Sequence, residues 1–398
     1  MNKNLKISEL VKASKRISFV GGSNTVSPHG YTKSLMEKLN CLCRDNHSFN
    51  NFSLGSAPGL MATLSLHRHH ISRHSDIIFH EYWVNDKAYN DYDGVQFTSL
   101  DEIGKSLEGF VRMSLKENPN CIIIFLILGT GKDRDIDDIL NSRCLVTKLY
   151  EEIADHYRLP IINLTELITK EFGKIFLKNL YYKDFFHFKR PEGTDVISQS
   201  ILTSLDDISY QPLDDLPEPI FAANYDRIRF LEDFYSDLKQ GKHEHEPVGY
   251  FKNSLLNEKY LIIKPGLRIS FLLKGKLLGL LAKSSYYDGY ITLTSPSKTI
   301  IKSTLHNSIE TLCNEYIILW ADLRNEYIET SDFEPISVNL ADSIPNNYTK
   351  LGHAEEVIPK IEPLYWTFNL VGIVYIGDIS DIIVDFSKEN YQNKQLRV

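Results

Sequence analysis

The stretch "ISFVGGSNTVSPHG", residues 17–30, indicates how the first half of this chain folds. Its first four residues are apolar or β-branched apart from one serine, and two glycines, a serine and an asparagine follow them. β-branched and aromatic residues favour a strand, and glycines permit a sharp turn at its end. The stretch therefore predicts a strand followed by a polar loop. That loop is either an ordinary tight turn or a place where Ser23 is exposed for chemistry.

Strand-like and helix-like segments alternate after this stretch. Further strands are predicted at residues 50–55, 76–83, 121–128 and 159–164. Helical patterns lie between them, with helices at 27–42 and 135–158 and an amphipathic helix at 99–119. Apolar strands separated by crossover helices predict a parallel sheet covered on both faces. Ligands of such sheets bind beyond the carboxyl ends of the strands, where Ser23, Gly55 and Asn85 fall.

The composition narrows the class of protein. The 398 residues are 42% hydrophobic and 24% charged, as in globular proteins, and the length favours two domains. A formal net charge of −8 argues against nucleic-acid binding, which usually requires a basic surface. No apolar run reaches the roughly 18 residues that span a bilayer, and no secretory signal is recognisable. The five cysteines are scattered, which predicts a reduced, cytoplasmic protein without a disulfide framework.

The pattern changes after the last helix of the first half. Residues 211–247 carry prolines, acidic residues and histidines, which is typical of a polar linker. Residues 248–398 consist of short strand-like segments with Gly, Pro and Ser turns, which predicts an all-β sandwich. We therefore expect an α/β domain at residues 1–210, a linker at 211–247 and a β-sandwich domain at 248–398.

Four separated segments of the first domain hold residue types that suffice for acyl transfer. Serine is a weak nucleophile, and His187 could take the proton of Ser23. Asp184, three positions before His187, could orient that base. The backbone N–H groups of Ser23 and Gly55 and the Asn85 amide could stabilise an oxyanion. Each segment alone is commonplace, but their order along the chain favours a catalytic site.

The segments "GGSNT", "LGSAPG", "EYWVND" and "DFFHFKRPEG" resemble the four blocks of the SGNH (GDSL-like) hydrolase superfamily over residues 15–206. The resemblance implies a three-layer α/β/α domain with a Ser23–His187–Asp184 triad and with Ser23, Gly55 and Asn85 as oxyanion donors. The first block has Gly-Ser-Asn instead of Gly-Asp-Ser, and the third block lacks the usual Gly-x-Asn-Asp. Its "E-Y-x-V-N-D" pattern is similar to a variant among carbohydrate-directed members.

The β domain loosely resembles the jelly-roll carbohydrate-binding modules that accompany some of these acetylesterases. Exposed aromatic residues would stack on sugar rings, whereas buried ones would belong to the core. The sequence alone does not separate the two roles. The aromatic candidates are Tyr286, Tyr287, Trp320, Tyr365 and Trp366.

Other polar segments allow further hypotheses. "LGTGKDRD" at 128–135 lacks the full phosphate-loop signature, so we expect the loop after the fourth strand there, with Lys132 or Arg134 near an anionic substrate. Asn24, next to the candidate nucleophile, is a further substrate-binding candidate. The histidines of "HRHH" (67–70), with His74 and His80, are better explained as a solvated or partly buried basic face, because no carboxylate or cysteine completes a ligand set in that helix. The "KHEHE" segment (242–246) could chelate a metal, but its place in a polar linker favours a solvated segment.

These observations predict an enzyme that carries an acetyl group on Ser23. Our first hypothesis is an O-acetyltransferase that moves the acetyl group from acetyl-CoA to a hydroxyl of a capsular or surface polysaccharide, with no bound cofactor. The second is a carbohydrate O-acetylesterase with the same triad and water as acceptor, since acceptor choice depends on water exclusion from the site. The third is a non-catalytic glycan-binding protein on the same scaffold.

Overall fold

The computed structural model of the chain divides it into two compact units, Met1–Arg227 and Ile228–Val398. The residues that the structure describes are 5–13, 16–42, 47–91, 94, 96–181, 184–232, 248–253, 256–305, 316–320, 327–346, 359 and 361–386. Within these ranges, no helix is both long and apolar enough to cross a membrane.

The first unit combines short strands with helices. Its strands are β1 (Leu5–Lys6), β2 (Arg16–Gly21), β3 (Ser48–Asn51), β4 (Ile77–Glu81), β5 (Ile122–Ile127), β6 (Ile161–Asn163) and β7 (Ser209–Tyr210). Its helices are α1 (Ile7–Ala13), α2 (Ser23–Val26), α3 (Tyr31–Leu42), α4 (Leu60–His69), α5 (Trp83–Asn90), α6 (Leu100–Glu117), α7 (Asp133–Leu140), α8 (Leu145–His156), α9 (Leu164–Phe172), α10 (Lys174–Leu180) and α11 (Glu192–Asp207).

Five of these strands form a parallel sheet in the order β3-β2-β4-β5-β6. All residues of β4 and β5 are buried, as expected for strands that helices cover on both faces. This confirms the predicted α/β class. The chain runs from β2 outward to β3 and then returns to β4 on the other side, so the strand order reverses between β2 and β4. Such a reversal opens a crevice beyond the carboxyl ends of the two strands.

Two helices differ from the sequence prediction. A separate short helix, α2, begins directly at Ser23, and the helix expected from residue 27 starts only at Tyr31. The helix expected at 135–158 is divided into α7 and α8. Ser142, between these two helices, has a left-handed backbone conformation with φ 52°, which a continuous helix does not allow.

The second unit is an antiparallel β structure, which confirms the predicted all-β class. Its strands are β8 (Arg229–Leu231), β9 (Val248–Lys252), β10 (Asn257–Ile263), β11 (Leu267–Ser284), β12 (Tyr290–Thr294), β13 (Thr299–Ser303), β14 (Tyr316–Trp320), β15 (Ile328–Leu340) and β16 (Phe368–Phe386). The curled sheet has the order β13-β12-β15-β11-β16-β10-β9, with β14 on β11 and β8 on β16. It encloses an apolar core that includes Phe271, Tyr290 and Trp366.

The two longest strands, β11 and β16, pair along most of their length with several register shifts. Gly275 and Gly377 face each other with φ values of 134° and 104°. A Cβ atom on Gly275 would lie 2.1 Å from the carbonyl oxygen of Ile376, and one on Gly377 would lie 2.1 Å from that of Lys274. Only glycine fits this close approach. Both strands are longer than the sequence predicted, and the pairing of β11 with β15 shifts its register between Leu273 and Gly275.

The boundary between the units lies later than the expected residue 210. Glu108 of α6 accepts hydrogen bonds from the backbone N–H groups of Ile220 and Phe221 at 2.6 and 2.8 Å. Residues 211–227 are therefore part of the first unit, and β8 is part of the second because it pairs with β16. The expected linker at 211–247 is corrected accordingly. Residues 233–247, including the "KHEHE" segment, lie outside the described residues.

The aromatic candidates of the second unit have different environments. Trp366 is fully buried, packs on Tyr290 with ring centroids 5.4 Å apart, and donates from Nε1 to the Ile361 carbonyl at 3.0 Å. It is a core residue, which corrects its candidacy for sugar stacking. Tyr287 and Tyr365 are 46% and 59% exposed, and Tyr286 contacts Tyr287. Sugar binding by these tyrosines stays a prediction, and the Trp320 side chain lies outside the described residues.

Candidate active site

The candidate nucleophile lies at the crevice where the strand order reverses. Strand β2 ends at Gly21, and Ser23 is the first residue of α2. The backbone N–H of Gly22 donates to the carbonyl oxygen of Glu81, the last residue of β4, at 2.9 Å. Because this hydrogen bond joins the ends of the two strands, it fixes the turn that presents Ser23.

Ser23, His187 and Asp184 form a continuous chain of hydrogen bonds. His187 Nε2 lies 2.8 Å from Ser23 Oγ, and His187 Nδ1 lies 2.5 Å from Asp184 Oδ2. A carboxylate on Nδ1 keeps the proton on that nitrogen, which leaves Nε2 able to accept a proton from the serine. The structure thus brings together the three residues that the sequence proposed as a triad.

The Asp184 carboxylate is held by backbone hydrogen bonds from the segment that carries His187. Its Oδ1 accepts hydrogen bonds from the backbone N–H groups of Phe186 and His187, at 3.1 and 3.2 Å. The carboxylate therefore binds both the backbone and the ring of the base. The spacing of three positions from Asp184 to His187 is compatible with both contacts.

Asn24 has a structural partner, although the sequence assigned it to the substrate. Its side chain is buried and donates from Nδ2 to the Phe186 carbonyl at 2.7 Å. The residue after the nucleophile therefore anchors the loop that carries the base. Gly131 holds the same loop from the other side, with its N–H on the Phe185 carbonyl at 2.7 Å.

The two basic substrate-binding candidates already have partners within the protein. The Lys132 ammonium lies 5.2 Å from the centroid of the Phe186 ring, a cation–π geometry. Arg134 is exposed and forms ion pairs with Asp91 at 3.1 Å and Asp138 at 3.8 Å. Lys132 lies beside the loop of the base, and Arg134 lies among carboxylates.

The proposed oxyanion donors lie at the turn that holds Ser23 or against its neighbours. A Cβ atom on Gly55 would lie 3.5 Å from both Cα and Cβ of Ser23, so the Gly55 backbone passes directly beside the nucleophile. A Cβ atom on Gly22 would lie 2.0 Å from Asn85 Oδ1, so the amide of Asn85 rests on Gly22. Asn85 Nδ2 donates one hydrogen to the Ala57 carbonyl at 2.8 Å, which leaves its second hydrogen for a substrate oxygen.

The loop that contains Gly55 is supported by strand β2 and by α5. Leu54 donates its N–H to the Gly21 carbonyl at 3.0 Å, which continues the pairing of β2 beyond its end. Tyr89 donates its hydroxyl to the Ser56 carbonyl at 3.1 Å. These contacts, together with the Asn85–Ala57 bond, hold the backbone of this loop at a fixed place beside the nucleophile.

Two buried carboxyl groups support the site, and the sequence assigned neither a role. Glu81 Oε2 accepts from Thr25 Oγ1 of the nucleophile helix at 2.7 Å, and burial raises the pKa of Glu81 to about 8. Asp86 accepts from the Gly59 N–H and from the Tyr150 hydroxyl, both at 2.7 Å, and burial raises its pKa to about 7. Both residues belong to the "EYWVND" segment, so the signal that could have found them was the motif itself.

The raised pKa of Glu81 predicts how stability depends on pH. Between its usual value of 4.5 and the folded value of about 8, the unfolded chain releases a proton that the folded chain keeps. Stability from this group is complete below the first value and falls as the pH rises through the second. We expect Glu81→Gln, which cannot ionise, to gain melting temperature relative to the wild type as the pH rises from about 5 to about 8.

Thermal unfolding by circular dichroism measures this difference. Glu37→Gln is the matched control because that side chain is 67% exposed, and its difference from the wild type should not change with pH. A Glu81→Gln difference that stays constant or shrinks with rising pH would contradict the buried, protonated state of Glu81.

Two histidines that follow α4, His70 and His80, have contacts within the protein. His70 Nδ1 and Ser72 Oγ both bond to Glu117, at 2.9 and 2.5 Å. His80 is buried between aromatic rings, and burial lowers its pKa to about 3, so it is neutral. Among the residues that the structure describes, no group of three or more His, Cys, Asp or Glu side chains is placed to hold a metal ion.

No protein-family model and no curated protein matches this chain. Its fold is similar to that of a two-domain esterase active on acetylated mannans, co-crystallized with mannopentaose. That match has a TM-score of 0.54 and 13% identity over 95% of this chain and 96% of that chain. Another structure of a two-domain esterase active on acetylated mannans matches with a TM-score of 0.53 and 13% identity over 96% and 98% of the two chains. This chain therefore has the fold of these two-domain esterase structures, with an α/β unit followed by an all-β unit.

Proposed function

We propose that this protein is a carbohydrate O-acetylesterase with Ser23 as its nucleophile. The hydrogen-bonded chain Ser23–His187–Asp184 carries the proposal, because it places a base and an orienting carboxylate on a serine beside oxyanion donors. The similarity in fold to an esterase active on acetylated mannans supports an acetylated polysaccharide as the substrate.

The first half of the reaction transfers the acetyl group to the protein. Ser23 Oγ attacks the ester carbonyl carbon while His187 Nε2 takes the serine proton. The N–H groups of Ser23 and Gly55 and the Asn85 amide stabilise the negative oxygen of the tetrahedral intermediate. The bond to the sugar oxygen then breaks, and His187 gives its proton to that oxygen. The sugar leaves with a free hydroxyl, and the acetyl group remains on Ser23.

The second half of the reaction restores the serine. A water molecule attacks the acetyl carbonyl carbon, and His187 takes the water proton. The bond between the carbonyl carbon and Ser23 Oγ breaks, the proton returns to the serine, and acetate leaves. Throughout both halves Asp184 stays ionised and stabilises the positive charge on His187.

The placement of the basic residues favours ester hydrolysis, with water as the acetyl acceptor, over the transfer from acetyl-CoA of our first hypothesis. A coenzyme A donor carries phosphate groups, which usually bind free Arg or Lys side chains. Arg134 is paired with Asp91 and Asp138, and Lys132 lies over the Phe186 ring. The similarity in fold to an esterase supports the same choice.

The test is acetate release from acetylated mannan and acetylated xylan, followed by an enzymatic acetate assay. We expect the wild-type protein to release acetate without any added donor, and Ser23→Ala to release none above background. A parallel reaction with acetyl-CoA and deacetylated polysaccharide measures free thiol. Donor-dependent acetylation of the polysaccharide without hydrolysis of the acetylated forms would contradict the esterase proposal and favour the transferase.

A further inference from the structure

Phe185 occupies an unusual backbone conformation inside the catalytic segment. It lies between Asp184 and His187, has φ 61°, and is 53% exposed. A bulky residue in the left-handed region is energetically costly, and such strain persists only where the surroundings enforce it. Exposing a large apolar side chain adds to this cost. Neither feature benefits the folded state by itself.

The loop around Phe185 is held rigidly by its backbone. The Phe185 carbonyl accepts from the Gly131 N–H at 2.7 Å, and the Phe186 carbonyl accepts from Asn24 Nδ2 at the same distance. Asp184 Oδ1 accepts from the two N–H groups that follow Phe185. These contacts fix the position from which the Phe185 ring projects, so its exposure is not the result of a loose loop.

The neighbouring aromatic residues of "DFFHF" have partners in the protein. The Phe186 ring forms a cation–π contact with the Lys132 ammonium. Phe188 is buried against Tyr181, with the ring centroids 4.5 Å apart. Among the described residues, no ring stacks on Phe185. One aromatic side chain of this segment is thus presented to solvent two positions from the catalytic base.

We infer that Phe185 is a specificity-determining residue whose ring stacks on the apolar face of the sugar that bears the acetyl ester. This inference rests on the proposed function and names the part of the substrate that the site selects. A pyranose ring presents axial C–H groups on one face, and these groups are attracted to the negative face of an aromatic ring. A ring held rigidly before binding loses little entropy when it stacks, which makes the strained loop useful for binding.

The test compares two substrates that share the acetyl group and differ in the sugar. Phe185→Ala and Phe185→Asn both remove the ring, and asparagine also tolerates the positive φ, which guards against misfolding. On acetylated manno-oligosaccharides we expect kcat/KM to fall about tenfold, mainly through KM, as loss of one aromatic contact implies. On p-nitrophenyl acetate, which lacks a sugar, we expect a change of less than about twofold.

Two further variants complete the test. Phe185→Trp keeps an aromatic face and should retain most of the activity on the oligosaccharide. Phe172→Ala, at the end of α9, is the matched control because that phenylalanine is also exposed, at 45%, outside the catalytic segment. It should leave kcat/KM unchanged on both substrates.

The possible results separate this inference from the proposed function. If the wild type deacetylates the oligosaccharide and Phe185→Asn does so equally well, the inference is wrong and the esterase proposal stands. An equal loss on both substrates also overturns it, since the ring would then support the triad and not the sugar. If the wild type hydrolyses p-nitrophenyl acetate but no acetylated sugar, the proposed function and this inference fail together.

Discussion

Ser23→Ala is expected to lower kcat by about 10⁴- to 10⁶-fold on both a polysaccharide ester and p-nitrophenyl acetate. The reason is geometric, because Ser23 supplies the hydroxyl that His187 Nε2 reaches at 2.8 Å. Without it no acetyl group can be carried on the protein. The oxyanion donors and the rest of the site remain, so a small residual activity over water is expected. Initial rates over a range of substrate concentrations separate the effect on kcat from that on KM.

Two controls accompany this variant. Ser27→Ala removes a hydroxyl from the same loop, and that oxygen is buried without a hydrogen-bond partner among the described residues, so activity should stay within about twofold. The Ser23→Ala/His187→Ala double variant should be no worse than either single variant, since residues that act as a unit are not additive. A double variant whose loss equals the product of the two single losses would mean that the residues act independently.

Asn85→Ala is expected to lower kcat by about 10²- to 10³-fold with a small change in KM. As a proposed oxyanion donor, Asn85 is expected to interact with the oxygen mainly when negative charge develops on it, so the loss should fall on the transition state. The Gly22 backbone beneath the amide and its bond to Ala57 orient that hydrogen. Asn85→Asp should be at least as impaired, because it replaces a donor by a negative charge next to the oxyanion.

Asn90→Ala is the matched control for this prediction. Asn90 lies on the same helix, α5, and its amide donates to the Thr98 carbonyl at 3.1 Å, outside the catalytic segments. Its removal should affect stability more than turnover. A KM increase with unchanged kcat in Asn85→Ala would show that Asn85 binds the substrate in its ground state, contrary to the oxyanion assignment.

The parallel sheet could be predicted because its strands are short apolar runs with polar ends. The completely apolar β5 is the clearest example, since only a strand buried on both faces has that composition. The division of α7 and α8 could not be predicted, because it depends on Ser142 adopting a left-handed conformation. The true start of α3 depends in the same way on the turn at Ser27–Gly30, where the Gly30 N–H bonds to the Ser27 carbonyl.

The site residues that the sequence found are those with reactive side chains. Ser23, His187 and Asp184 were recognisable because each step of acyl transfer requires a particular residue type. The supporting contacts were hidden, because they join residues far apart in the chain. Asn24 and Phe186, 162 positions apart, are an example, and only the folded structure shows that the amide anchors the base loop.

In the second unit, the sequence pattern predicted the strands. It did not predict the length of the strands or which aromatic side chains are buried. Leu364 and Trp366 are apolar residues two positions apart in the same short segment. Nevertheless, Leu364 is 43% exposed and Trp366 is fully buried. Gly289 leaves room for the indole, because a Cβ atom there would lie 2.3 Å from the Trp366 ring. A contact with a residue distant in sequence, which the local pattern does not reveal, is thus part of the environment of this buried aromatic residue.

The central claim, an acetyl group carried on Ser23, is tested most directly by mass spectrometry. The wild-type protein is mixed with acetylated manno-oligosaccharide, quenched in acid within the first turnovers, digested and analysed peptide by peptide. We predict that the peptide containing Ser23 gains the mass of one acetyl group, and that Ser23→Ala shows no acetylated peptide under the same conditions. Acetate release by Ser23→Ala at the wild-type rate, or an acetyl group on a different residue that turns over, would contradict the account.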